Sequence, residues 1–98
     1  MILVREIFQI KFGRMKDVKD LLKEMAKIMP TESRPRILTD LTGPHYTLVM
    51  ENTHKDLSAF EADMRRDLSG QDFAKWYQKF IPLVDSGRRE IFTIVDGI

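Results

Sequence analysis

The sequence predicts an α+β domain: one four-stranded antiparallel sheet with its helices packed on a single face. Three observations carry this. Segments near both ends of the chain, Ile2 to Phe12 and Arg88 to Val95, alternate with the two-residue period of a strand. Stretches between them place apolar residues three and four apart, the spacing of a helix with one buried side. Glycine and proline mark the boundaries at Gly13, Pro30, Gly43-Pro44, Gly70 and Gly87.

Taken in order, Ile2 to Phe12 reads as a strand that Gly13 breaks. A helix follows from about Met15 to Met29, with Met15, Val18, Leu22, Met25 and Met29 on one side, and Pro30 stops it. Ser33 to Pro35 is a loop, Arg36 to Leu41 a strand, and Thr42-Gly43-Pro44 a turn into an alternating strand from Tyr46 to Glu51. Thr53 has the chemistry of a helix N-cap, with Asp56 three residues on. Leu57, Phe60, Met64 and Leu68 form the stripe of that helix, and Gly70 ends it. A further helix from near Gln71 turns Phe73, Trp76, Phe80 and Val84 inward, and Ser86-Gly87 turns into the last strand. The order β-α-β-β-α-α-β is that of a ferredoxin-like plait with its second helix split. Right-handed crossovers place every helix on the same face.

The chain has 98 residues, read as a single domain over 1–98. Sixteen basic residues face fifteen acidic ones, net charge +1, which gives no bias toward a polyanion. Absence of cysteine excludes a disulfide framework, a thiol nucleophile and a zinc–thiolate site. The apolar runs are too short for a membrane span, and Ile2 to Val4, followed at once by Arg5-Glu6, is too short for a signal-peptide core. The expected setting is cytoplasmic, with no nucleic-acid or membrane partner.

The even positions are read as the core face: Val4, Phe8, Ile10, Phe12, Tyr46, Leu48, Met50, Phe92 and Ile94, with Glu6 and Glu90 unplaced. The odd positions make a mixed face, with Leu3, Ile7, Val49, Ile91 and Val95 set among Arg5, Gln9, Thr47, Glu51, Arg89 and Thr93. A four-stranded sheet is about 19 Å wide and 20 Å long. A monomer rarely leaves a half-aliphatic face of that size in water. The simplest cover is the same face of a second copy, so a homodimer is expected.

The run Arg5-Glu6-Ile7-Phe8-Gln9-Ile10-Lys11-Phe12-Gly13 resembles the first strand and Lys-x-Gly turn of NIPSNAP-like proteins. Trp76, followed by Pro82-Leu83-Val84-Asp85-Ser86-Gly87 and then Glu90-Ile91, resembles their tail. The family usually has proline where Phe12 stands. The resemblance implies a dimeric α+β barrel and says more about fold and dimer than about activity. The wider superfamily holds cofactor-independent quinone-forming monooxygenases and haem degraders. The haem degraders use a first-strand Asn, a helix Trp and a His soon after that Trp. Here Gln9 and Trp76 take the first two places, but no histidine follows His54, so that haem site is not implied and no cofactor is expected.

Candidate residues each carry two readings. Trp76 is core, or the wall of a ligand cavity. His45, on the mixed face with Thr47, is a solvated strand-end histidine or a proton-transfer group. His54 is expected exposed, in the first turn of a helix. Arg5 and Arg89 are read as mixed-face neighbours that hold a carboxylate or enolate oxygen, or else pair with Glu51 or Asp40. Gln9 and Thr47 would add hydrogen bonds to a ligand or serve the interface. The alternating lysines and acids from Lys16 to Lys27 make a solvated helix face. No phosphate loop, metal spacing or nucleophile motif is present.

Two function classes remain. One is a homodimeric barrel binding a small, partly apolar organic ligand, with monooxygenase-like chemistry resting on His45 as base and Arg89 as oxyanion partner. The other is a non-catalytic binding or regulatory module. RNA binding is set aside because the aromatics Phe8, Tyr46 and Phe92 are assigned to the helix side.

Overall fold

The computed structural model describes all residues 1–98. The elements are β1 (Ile2–Ile10), α1 (Met15–Ile28), β2 (Arg36–Thr39), β3 (Thr47–His54), α2 (Leu57–Leu68), α3 (Gln71–Phe80) and β4 (Val84–Thr93), with single 3₁₀ turns at Thr31–Ser33 and Ile81–Leu83. The strands form one antiparallel sheet in the order β2-β3-β1-β4, the expected plait. Ile10 and Leu48 from the sheet meet Val18, Leu21 and Met25 of α1 and Trp76 and Phe80 of α3 in the main core. That core sits under α1 and α3. By contrast, α2 buries none of its residues.

Several boundaries differ from the sequence reading. β1 stops at Ile10, and Phe12 stands exposed, edge-on to Tyr46 at 5.1 Å rather than in the core. Thr53 does not cap a helix, because β3 stays paired with β1 as far as Thr53 opposite Leu3 and His54 opposite Ile2. The cap of α2 is Asp56, whose side chain accepts from the Ala59 N–H at 2.9 Å. Ladder pairing along the full length of β1 outweighs a local cap three residues early.

The largest correction concerns β4. It begins at Val84, and Ser86-Gly87 lies inside it instead of turning into it. Its register sets Glu6 opposite Arg89, Val4 opposite Ile91 and Leu3 opposite Phe92. Arg89 and Ile91 therefore share the helix-side face with Val4 and Glu6, while Glu90 and Phe92 join Arg5 on the open face. Successive strand residues face opposite ways, so a one-residue change of phase exchanges the whole set. The run Glu90-Ile91-Phe92-Thr93-Ile94-Val95 has apolar residues at both parities, so its own alternation does not choose a face. The register does, with a bulge where Gln9 pairs with Ser86 and Ile10 with Val84. Gly87 fits this arrangement: a Cβ there would lie 2.9 Å from the ring of Phe8, which covers it.

Candidate functional site

Two groups of polar residues come together on opposite faces of the sheet. On the open face, Arg5 donates to Glu51 at 3.1 Å and lies 4.0 Å from Glu90, and Arg36 also donates to Glu51. The Arg5 guanidinium covers the Phe92 ring at 5.5 Å. Glu51 is only 3% exposed, yet both carboxylate oxygens have a guanidinium partner. The hydrogen bond from Arg36, supported by Arg5, holds its carboxyl below the usual value against the opposing effect of burial. Arg5 thus takes the ion-pair reading, with Glu51.

Gln9, Thr47 and His45 gather at the β2–β3 connection. The Gln9 amide donates to the His45 carbonyl, and the Thr47 hydroxyl donates to the Pro44 carbonyl at 2.9 Å. The Asp40 carboxylate accepts from the Thr47 N–H at 2.7 Å. These contacts fix the turn in which Tyr46 takes a left-handed backbone with φ 63°. The His45 ring is exposed beside them.

The helix-side face is different. Between the sheet and the helices, under α2, lies a cavity of about 520 Å³, with 12 of its 20 lining residues hydrophobic. That volume falls within the range of about 300–1,000 Å³ usual for small-molecule sites. Aromatic rings from Phe8, Phe60, Phe73, Trp76, Tyr77 and Phe80 form much of the wall. Methionines 25, 29, 50 and 64 supply flexible apolar surface beside them. Trp76 is buried in the core, its indole N–H donates to the Leu21 carbonyl at 2.5 Å, and it also lines the cavity.

Two polar pairs enter this apolar space. His54 Nδ1 lies 2.8 Å from an Asp63 carboxylate oxygen, and the His54 side chain is 11% exposed. An ionised carboxylate only accepts hydrogen bonds. With Asp63 ionised, Nδ1 carries the hydrogen, and in the neutral imidazole Nε2 is the nitrogen left with a lone pair. The other Asp63 oxygen faces Arg66 at 3.3 Å, and Arg66 also donates to Asp67, a bond that raises its already high pKa further. The second pair is Arg89 Nε to Glu6. The Arg89 guanidinium also covers the Phe60 ring at 5.1 Å, and the His54 ring lies 5.2 Å from the same ring. Contact with Phe60 thus brings both pairs to one part of the cavity.

Of the residues singled out from the sequence, Arg89 and Trp76 line this cavity, whereas Arg5, Gln9, Thr47 and His45 do not. His54, Asp63 and Glu6 were missed. The signal for Glu6 was its even parity with Val4 and Phe8. For His54 it was the continuation of Leu48, Met50 and Asn52 by one more step of two, hidden by the capping chemistry of Thr53.

The plait, with a cavity open to solvent between its sheet and helices, defines the class: a ferredoxin-like α+β protein. Solved structures of this shape include a NIPSNAP family protein from Agrobacterium tumefaciens, with TM-score 0.88 at 16% identity over 97% of this chain and 93% of that one. A NIPSNAP domain protein from Burkholderia xenovorans matches with TM-score 0.84 at 11% identity, covering 98% and 96% of the two chains. An antibiotic biosynthesis monooxygenase is similar at TM-score 0.73 and 16% identity, covering 97% and 99%. At such identities the likeness establishes the fold. No protein-family model matches the chain, and no curated protein matches it at a significant level. No helix is long and apolar enough to cross a membrane.

Proposed function

We propose that this chain is a cytoplasmic, homodimeric α+β barrel that binds a small, partly apolar organic molecule in the cavity under α2 and removes a proton from it. The observation that carries the reading is the His54–Asp63 pair lining a mainly apolar cavity of about 520 Å³. Asp63 holds the imidazole in one tautomer, so His54 Nε2 is the atom positioned to take a proton. A histidine replaces the sequence-based choice His45 by another in the chain, because only His54 reaches the cavity. Arg89 is the one lysine or arginine in the lining that lies free of a second carboxylate, and is the group available to a negative charge on the ligand.

A monooxygenase-like reaction fits these groups. A ligand CH₂ activated by neighbouring carbonyl or aryl groups loses a proton to His54, and the carbanion reacts with dioxygen. One oxygen atom ends as the new C=O, and the other leaves as water with the two hydrogens. The apolar wall supports such chemistry by keeping bulk water from the carbanion. Arg5, Gln9, Thr47 and His45 are assigned in this reading to the turn and to the dimer interface, where the open face meets its copy.

The test is a thermal-shift screen of quinols and phenols, followed by oxygen consumption with each binder. A ligand that binds only the folded state raises the melting temperature. His54→Asn should keep that shift and lower turnover about 10²–10⁴-fold, the loss expected for a general base. Binding without turnover in the parent protein would make it a non-catalytic binding module instead. No binder at all, or full turnover in His54→Asn, would overturn the site.

A further inference from the structure

We propose that the ligand of this cavity is an amphipathic carboxylate, held by the terminal nitrogens of Arg89 at the cavity mouth with its apolar body among the aromatic and methionine side chains. The inference rests on the cavity reading above and adds the ligand's charge and orientation. Arg89 is the only lysine or arginine among the lining residues. A guanidinium is a planar fork that can engage two partners along different edges. Glu6 takes the Nε atom, and Phe60 covers the face, so two independent contacts fix the plane of the group. Neither terminal nitrogen has a protein partner, and the side chain is 42% exposed, open to solvent at the rim. A preset fork with its outer edge free is a receptor for a carboxylate, which can accept two parallel N–H bonds there without displacing Glu6.

The carboxylates that line the cavity are otherwise engaged. Asp63 is held by His54 and faces Arg66, and Asp67 accepts from Arg66. Glu6 is held by Arg89 itself. A second pocket of about 390 Å³ adjoins the first and shares Glu6, Phe8, Tyr77, Phe80 and Arg89 with it. The Glu6–Arg89 pair and Tyr77 thus belong both to the mainly apolar cavity and to a more polar groove that includes Asp85, Ser86 and Arg88. An amphipath with its charged end at that pair and its tail in the apolar cavity satisfies both.

The chain has one tryptophan, and it lines the cavity, so Trp76 emission reports occupancy directly. Decanoate, decanol and decylamine are titrated below their aggregation limits, with calorimetry as the second readout. Decanoate should bind at least tenfold tighter than decanol, and decylamine weakest. Arg89→Gln should weaken decanoate about 10–100-fold, the loss of charge-assisted hydrogen bonds, and leave decanol unchanged. Arg89→Lys should recover only part of that loss, because it keeps the charge and loses the fork. If decanol binds as well as decanoate, or decylamine binds tighter, or Arg89→Gln and Arg89→Lys bind decanoate as the parent does, the carboxylate assignment is overturned while the cavity stands. If none of the three probes binds while a quinol or phenol does, the carboxylate assignment falls and the cavity stands; if neither set binds, both fall.

Discussion

The two faces of the sheet handle polarity in opposite ways. The helix-side face is mainly apolar, and its few ionisable groups, Glu6, His54 and Arg89, stand at the margin of a cavity with donor or acceptor atoms to spare. The open face spends its charges on one another: Glu51 takes guanidinium groups from Arg5 and Arg36, and Arg5 approaches Glu90 and Phe92. Groups closed on themselves stabilise and fix register. Groups left with unused atoms at the edge of an apolar space are the ones available to a ligand. The contrast also separates two kinds of packing. Under α1 and α3 the helix face is filled, whereas under α2 the space is left open.

The largest effect should come from breaking the filled part. Phe80 is buried, meets Phe8 edge-to-face at 5.1 Å and stacks on Trp76 at 5.0 Å. Phe80→Ala should destabilise the domain by about 3–5 kcal/mol in a denaturant titration, the range for truncating a buried aromatic residue. A loss below about 1 kcal/mol would mean that the region under α3 is as open as that under α2.

The next test separates the faces by association. Val49 lies at the middle of β3 on the open face, opposite Ile7. If that face meets a second copy, Val49→Glu buries an unpaired charge in the interface. Sedimentation should show dissociation of the dimer weakened at least about a hundredfold in affinity, with a folded monomer remaining. Ile91→Glu is the control: the sequence alone puts Ile91 on the open face, but its pairing with Val4 puts it on the helix side at the sheet edge. That variant should leave association unchanged. A parent protein that sediments as a monomer at micromolar concentration, or a dimer that survives Val49→Glu, would move the interface elsewhere.

Much of the fold was legible because β1 and β3 each have one clearly apolar face, and because the helix stripes repeat at the right period. The topology followed from element order alone. What stayed illegible has a common physical cause. The face of β4 is set by its register against β1, a contact between residues some eighty positions apart, and its sequence is apolar on both sides. That one ambiguity misplaced Arg89, Ile91 and Phe92 together. The site was half legible for the same reason. Arg89 and Trp76 were named, but the partners that give them chemistry, Glu6 and the His54–Asp63 pair, depend on a strand that runs past a plausible helix cap. Phe92 on the open face also removes one ground for setting RNA aside, although its ring is covered by Arg5.

The smallest expected effect concerns pH, and it distinguishes the closed network of the open face from the rest of the surface. The folded-state pKa of Glu51 lies below the ordinary 4.5, chiefly through its hydrogen bond from Arg36, with Arg5 adding to it. A carboxyl depressed in this way contributes stability that is fully present above the unfolded-state value. That contribution is lost as pH falls through the unfolded value toward the lower folded one. Glu51→Gln keeps the shape and one acceptor but carries no titrating group. The parent should therefore be the more stable above about pH 5, and the gap should close progressively as the pH is lowered below that. Measuring the difference cancels the other carboxyl groups, which titrate in both proteins. Melting temperatures taken by circular dichroism across that range check it. A gap that stays constant with pH would mean that the guanidinium groups of Arg5 and Arg36 exert no more pull on Glu51 in the folded protein than in the unfolded chain, and the open face would then be a solvated surface rather than a closed network.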